Sequence, residues 1–206
     1  NMSHEIRTPM NAVIGLSNIL AASQPLTQKQ REFINTLQLS ADALLLLIND
    51  LLDIAKIETG NVEFESIPFN LCQMVQEVVS MVGVKAQEKN LELVVDTSCA
   101  QSHTYVGDPL RIRQVVLNLC SNAIKFTESG KVEIIISCEP TEEKNIDTIC
   151  VKVRDTGIGI AQEKIDTIFQ KFIQADSSIN RKYGGTGLGL AITKQLVWDW
   201  RSPEPW

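Results

Sequence analysis

The sequence predicts an α+β chain: a helical hairpin that dimerises as a four-helix bundle, then an α/β domain with helices on one face of a layered sheet. Two observations lead there. Over the first 60 residues, apolar positions recur three and four apart on two runs, interrupted by Ser23-Gln24-Pro25-Leu26-Thr27. Further on, β-branched runs and helical periodicity alternate in an order that is not a strict β-α-β repeat. At 206 residues and 44% hydrophobic, the chain suffices for one large or two small domains.

The first run has Ile6, Met10, Val13 and Leu20 near heptad spacing, with Ser17 breaking the series. Thr27 can cap the second helix, with Gln30 as its capping-box partner. That helix is long: Leu37, Ser40, Leu44, Leu47, Leu51, Ile54 and Glu58 alternate three and four apart, most of them apolar, and Gly60 supplies a stop. Leu44 to Ile48 is apolar all round, so more than one face must be covered. Two helices with such wide stripes bury too little alone, which predicts the dimer through residues 1–60.

Residues 61–69 read as an extended linker containing Pro68. Asn70 caps a helix to about Glu88, with Met74, Val75, Val78 and Val82 on its apolar side. Leu91 to Asp96 reads as a strand. Asp108-Pro109 starts a helix that runs to about Phe126, a cap residue followed by proline in the first turn. Lys131 to Cys138 and Thr148 to Val153 read as strands. A glycine turn follows over Asp155 to Ile160, then a short helix over Ile165 to Phe172. The polar stretch Gln174 to Tyr183 reads as a mobile loop. A second glycine stretch, Gly184 to Gly189, opens a last helix to about Val197.

Composition excludes several functions. Net charge is −6 and pI about 5.0, which argues against a nucleic-acid partner, since phosphate neutralisation needs clustered Lys and Arg. The five cysteines form no C-x-x-C pair, and with only two histidines a zinc site is disfavoured. Cysteines scattered among apolar residues suit a reducing, cytoplasmic compartment. No apolar run approaches the ~20 residues of a membrane span. The chain opens inside a motif and reads as a fragment truncated at both ends. Its last nine residues hold all three tryptophans and two prolines. They read as an aberrant tail, 198–206, that costs the sheet its last strands.

His4 has a carboxylate beside it at Glu5, and Thr8 lies one helical turn on, sharing its face. Pro9 cannot donate to the Glu5 carbonyl and should bend the helix there. A solvated surface histidine is the alternative for the isolated pair. On the helix after Asp108, Asn118, Asn122 and Lys125 share one face. An amide oxygen suits magnesium and a lysine suits phosphate, although a solvated polar face has the same composition. In Asp155-Thr156-Gly157-Ile158-Gly159 the glycines let backbone approach a planar base, and a buried Asp155 carboxylate can accept from an exocyclic amine; an ordinary Asp-Gly turn is the alternative. Phe169 and Phe172 read either as core anchors or as the base of a lid. Gly185-Thr186-Gly187-Leu188-Gly189 leads into helix amides able to hold phosphate. It lacks the Gly-Lys-Ser/Thr ending of a Walker loop, and neither glycine stretch completes a Rossmann fingerprint, because Gln162 and Ile192 occupy the third glycine positions.

Taken in order, these stretches resemble sensor histidine kinases of two-component systems, of the hybrid-receptor kind, over about residues 1–197. Ser3 to Asn11 resembles the phosphoacceptor box. The four later stretches resemble the asparagine, glycine and phenylalanine boxes of the Bergerat-type ATP-binding domain, here 70–197. The resemblance implies an ATP-dependent kinase core that autophosphorylates His4 and passes the phosphoryl group to an aspartate of a response-regulator receiver domain, separate or on the same parent chain. It implies catalytic roles for His4, Glu5 and Thr8. ATP would be held by Asn118, Asn122, Lys125, Asp155, Gly157, Gly159, Phe172, Gly185, Thr186, Gly187, Leu188 and Gly189, with Arg181 and Lys182 near the γ-phosphate. Asn122 would hold Mg2+. A non-catalytic dimerisation and docking fragment with an impaired ATP site is the alternative, and a gyrase-type ATPase without a phosphoacceptor is a third.

Overall fold

The computed structural model describes residues 2–23, 25–59, 64–100, 103–142, 146–173 and 186–200, the side chains at 2–5, 7, 42, 58, 199 and 200 excepted. It divides into two compact units, Asn1–Val62 and Glu63–Trp206.

The first unit holds α1 (Met2–Ala22) and α2 (Gln28–Glu58). The α1 helix runs on through Pro9. Ser17 is buried within the apolar series, and its hydroxyl donates to the Ile14 carbonyl at 2.8 Å, so the polar group is satisfied locally. The expected capping box is present: Gln30 N–H donates to Thr27 Oγ1 at 3.2 Å and Thr27 N–H to Gln30 Oε1 at 2.9 Å. The α2 helix ends at Thr59, whose N–H reaches the Ala55 carbonyl; Gly60 lies outside the described residues. The apolar stripe stays open to water in the single chain, with Leu44 46%, Leu46 56% and Leu47 36% exposed.

The second unit begins with a strand in the stretch read as a linker. Strand β1 (Ile67–Phe69) pairs antiparallel with β3 (Tyr105–Gly107), with Pro68 opposite Val106. Between them lie α3 (Leu71–Glu88) and β2 (Glu92–Asp96); α4 (Pro109–Phe126) follows β3, then β4 (Lys131–Pro140) and β5 (Asp147–Asp155). The Asn70 side chain accepts from Gln73 N–H at 2.8 Å and starts α3. Asp108 does more than cap. One of its oxygens accepts from Arg111 N–H at 3.0 Å and the other from Glu65 N–H at 3.2 Å, so this buried carboxylate ties the lead-in to β1 to the start of α4.

Strand β4 is central, parallel to β2 and antiparallel to β5. Its alternation sets the core: Val132, Ile134 and Ile136 are buried and pack with Val75 and Val78 of α3 and Val116 and Cys120 of α4. Each such fully buried aliphatic side chain contributes about 1.5–3 kcal/mol. Among the described residues β5 has one strand neighbour, β4. The helix expected over Ile165 to Phe172 is instead a 3-10 turn at Gln162–Lys164 followed by single turns, in which Thr167 and Ile168 N–H both converge on the Lys164 carbonyl at 3.0 Å. The last helix, α5 (Gly189–Trp200), extends beyond Val197.

Candidate nucleotide site and phosphoacceptor helix

The α4 helix is the spine on which the site residues of the second unit meet. Its apolar side faces the core, and that places Asn118, Asn122 and Lys125 on the side away from it, all half-buried. The Asn118 Nδ2 donates to the Gly189 carbonyl at 3.3 Å, and a Cβ at Gly189 would lie 3.5 Å from the Asn118 side chain. The second glycine stretch and the first turn of α5 are thus laid against the middle of α4. Among the described residues the Asn122 side-chain amide makes no hydrogen bond. Lys125 holds its ammonium 4.8 Å from the Phe126 ring centroid, and burial pulls its pKa below the usual 10.5.

The other end of α4 meets the first glycine turn. Ile158 N–H donates to the Phe126 carbonyl at 3.3 Å. Gly157 sits so close that an added Cβ would collide with that carbonyl oxygen and come within 2.9 Å of the Asp155 Oδ1. Here glycine is required by space. Asp155 ends β5, and its Oδ1 accepts from Gly157 N–H at 2.9 Å. The carboxylate is exposed, which corrects the expectation of a buried one: a strand end and two glycines supply no side chains to cover it. Thr156, passed over in the sequence, fixes the turn from beneath, its Oγ1 accepting from Lys131 N–H at 3.0 Å. The only sequence signal for it was its place between Asp155 and Gly157.

Phe172 is no core anchor. It is 63% exposed, with φ +61, and its N–H donates to the Gly187 carbonyl at 3.1 Å. Gly187 has φ +70, and a Cβ there would press on the Phe172 backbone at 3.2 Å, so the phenylalanine and second glycine stretches are joined by backbone. Thr186 Oγ1 accepts from Leu188 N–H at 3.1 Å. The Leu188 side chain is fully buried and serves the core. Arg181, Lys182 and Gly185 lie outside the described residues. On α1, His4 and Glu5 are placed by backbone only, and Thr8 is exposed. No helix among the described residues is long and apolar enough to cross a membrane.

The chain thus carries a helical hairpin with His4 and, as a separate compact unit, an α/β domain in which one amphipathic helix gathers two glycine stretches. Residues 107–202 match the family described as histidine kinase-, DNA gyrase B-, and HSP90-like ATPase, and residues 1–60 match the His Kinase A (phospho-acceptor) domain. The former match runs past Val197, where the resemblance was expected to stop. The signal transduction histidine-protein kinase BarA of Escherichia coli is 45% identical over 96% of this chain, which spans 21% of that relative's length. The hybrid signal transduction histidine kinase A of Dictyostelium discoideum is 44% identical over 95% of this chain and 9% of its own. Full-length ShkA in complex with AMPPNP superposes with TM-score 0.73 at 33% identity, over 95% of this chain and 39% of that one. The catalytic domain of histidine kinase ThkA does so with TM-score 0.51 at 30% identity, over 68% of this chain and 84% of that one. The chain belongs to the histidine kinase family and carries its phosphoacceptor and ATP-binding domains.

Proposed function

We propose that this chain is the ATP-dependent core of a two-component histidine kinase, with 1–60 as dimerisation and phosphoacceptor domain and 70–197 as catalytic domain. The observation that carries the nucleotide assignment is the convergence on α4: Asn118 bonded to Gly189 at one level, and the Phe126 carbonyl bonded to Ile158 at the other. Eight residues of helix separate them, about 12 Å along the axis. That leaves room for the base at the Asp155 end and the phosphates at the Gly189 end. The Asp155 oxygen not held by Gly157 accepts from the adenine amine. Lys125 and the amides opening α5 meet the phosphates. The uncommitted Asn122 amide fits Mg2+ as a hard oxygen ligand. Bound there, the ion supplies positive charge against the triphosphate.

In the reaction the His4 imidazole attacks the γ-phosphorus in line. An N–P bond forms, the bond from the γ-phosphorus to the ADP oxygen breaks, and Glu5 takes the proton from the other ring nitrogen. The phosphoryl group then passes to an aspartate of a receiver domain, and Thr8 orients water in the reverse, phosphatase direction. The open stripe at Leu44, Leu46 and Leu47 supports a homodimer through the hairpin. The test is incubation with γ-labelled ATP and Mg2+. Label should be acid-labile and base-stable, and absent from His4→Gln, which should still bind AMPPNP. Acid-stable label, or full labelling of His4→Gln, would defeat the assignment.

A further inference from the structure

Helix α4 ends with carbonyl groups that have no partner within the helix, and their bonding is unequal. The Ala123 carbonyl accepts from Thr127 N–H at 3.1 Å and Thr127 Oγ1 at 2.7 Å. The carbonyls of Ile124, Lys125 and Thr127 accept from one ammonium, Lys89 Nζ, at 2.8, 2.8 and 3.1 Å. The Phe126 carbonyl, in the middle of this set, takes Ile158 N–H from the glycine turn. Lys89 itself is held at its root: it closes α3, its N–H bonded to the Gln87 and Lys85 carbonyls.

We propose that Lys89 is a positioning residue for nucleotide binding: its ammonium clamps the end of α4 so that the Phe126 carbonyl is aimed at the Asp155–Ile160 turn. The chemistry fits the place. An ammonium has three donors and no acceptor, and three carbonyls converge on it. It also carries positive charge to the negative end of the helix dipole. The clamp spans both sides of Phe126, so the peptide between them cannot rotate without breaking a charged hydrogen bond. Gly157 leaves no slack, because even a Cβ on it would collide with that carbonyl oxygen. Lys89 touches no nucleotide and acts through the backbone of α4. The proposal rests on the reading of the Asp155 turn as the base site.

The test uses the full chain with Lys89→Met and Lys89→Arg, each measured by hydrogen exchange and by titration with AMPPNP and Mg2+ at a temperature where both are folded. In Lys89→Met the Ile158 amide should exchange about tenfold faster or more, with the β4 amides unchanged, and AMPPNP affinity should fall about tenfold. Lys89→Arg, which keeps charge and several donors, should recover most of both. Uniformly faster exchange across β4 and α4 would reduce Lys89 to a general stabilising residue and overturn the proposal. Faster exchange at Ile158 with parental AMPPNP affinity would overturn it equally. Failure of the parent chain itself to bind AMPPNP would instead refute the nucleotide reading, and the exchange data would still report whether the clamp exists.

Discussion

Replacing Gly157 by alanine tests the seam between α4 and the glycine turn. The new methyl would be driven into the Phe126 carbonyl oxygen and sit 2.9 Å from both the Phe126 carbonyl carbon and the Asp155 Oδ1. Two of these atoms are backbone and cannot turn away as a flexible side chain does. Overpacking of this kind costs about 1–3 kcal/mol, which is a fall of roughly 3–10 °C in Tm for a domain of this size. Relief must come from moving the turn outward, which breaks the Ile158 to Phe126 bond and shifts the Asp155 carboxylate. The displaced carboxylate loses its charge-assisted bond to the base, worth about 1.5–3 kcal/mol, so ATP affinity should drop about tenfold or more. Gly159→Ala, in the same turn, is the comparison for backbone strain without a clash. Gly159 has φ +69 with open space around its missing Cβ, so alanine there pays about 1–2 kcal/mol of left-handed strain without displacing a neighbour. The two variants should therefore melt comparably below the parent and differ in titrations with ATP. Parental affinity in Gly157→Ala would show that the seam does not position the base site.

Three further variants, on α4 and β5, have distinct expected outcomes. Asn122→Ala should abolish labelling from γ-labelled ATP while weakening nucleotide binding less, whereas Asp155→Ala should lose a charge-assisted bond of about 1.5–3 kcal/mol, roughly ten- to a hundredfold in ATP affinity by titration. Lys125→Met should melt above the parent near neutral pH without nucleotide, because burial holds the Lys125 pKa below 10.5 and the charged form is the one penalised by folding. The unfolded chain binds the proton more tightly, so the penalty is fully present below the depressed pKa and fades as pH rises through it towards 10.5. The Tm gap between variant and parent should narrow over that window, and saturating AMPPNP with Mg2+ should stabilise the parent more than the variant.

Cap chemistry made the helices readable. Thr27 with Gln30, Asn70, and Asp108 with Pro109 each place a helix start correctly, because an N-cap is a local event between a side chain and an amide three residues on. Non-local pairings were not readable. Strands β1 and β3 are three residues each and one contains proline, so neither carries enough alternation to announce a strand. Ile165 to Phe172 has helical spacing, but its N–H groups settle into successive turns and its end is held by the Gly187 carbonyl. The Asn118, Asp155 and glycine stretches were visible as a set. Their joints were not: Lys89 looks like any solvated lysine ending a helix, and the three carbonyls it serves lie 35 to 38 residues away.

The parallel pairing of β2 with β4 has a consequence for how the chain acquires its site. Aligning Glu92 with Lys131 closes a loop that contains β3 and the whole of α4. Long-range parallel closure is entropically expensive and slow compared with local helix formation. The crossover helix must be docked on β4 when that loop closes, since Val116 and Cys120 share one core with Val132 and Ile134. Assembly of the sheet and docking of the helix that bears Asn118, Asn122 and Lys125 are then one cooperative event. In pulse-labelling during refolding, α4 and β4 amides should become protected together, and no intermediate should present a finished sheet beside an unformed α4.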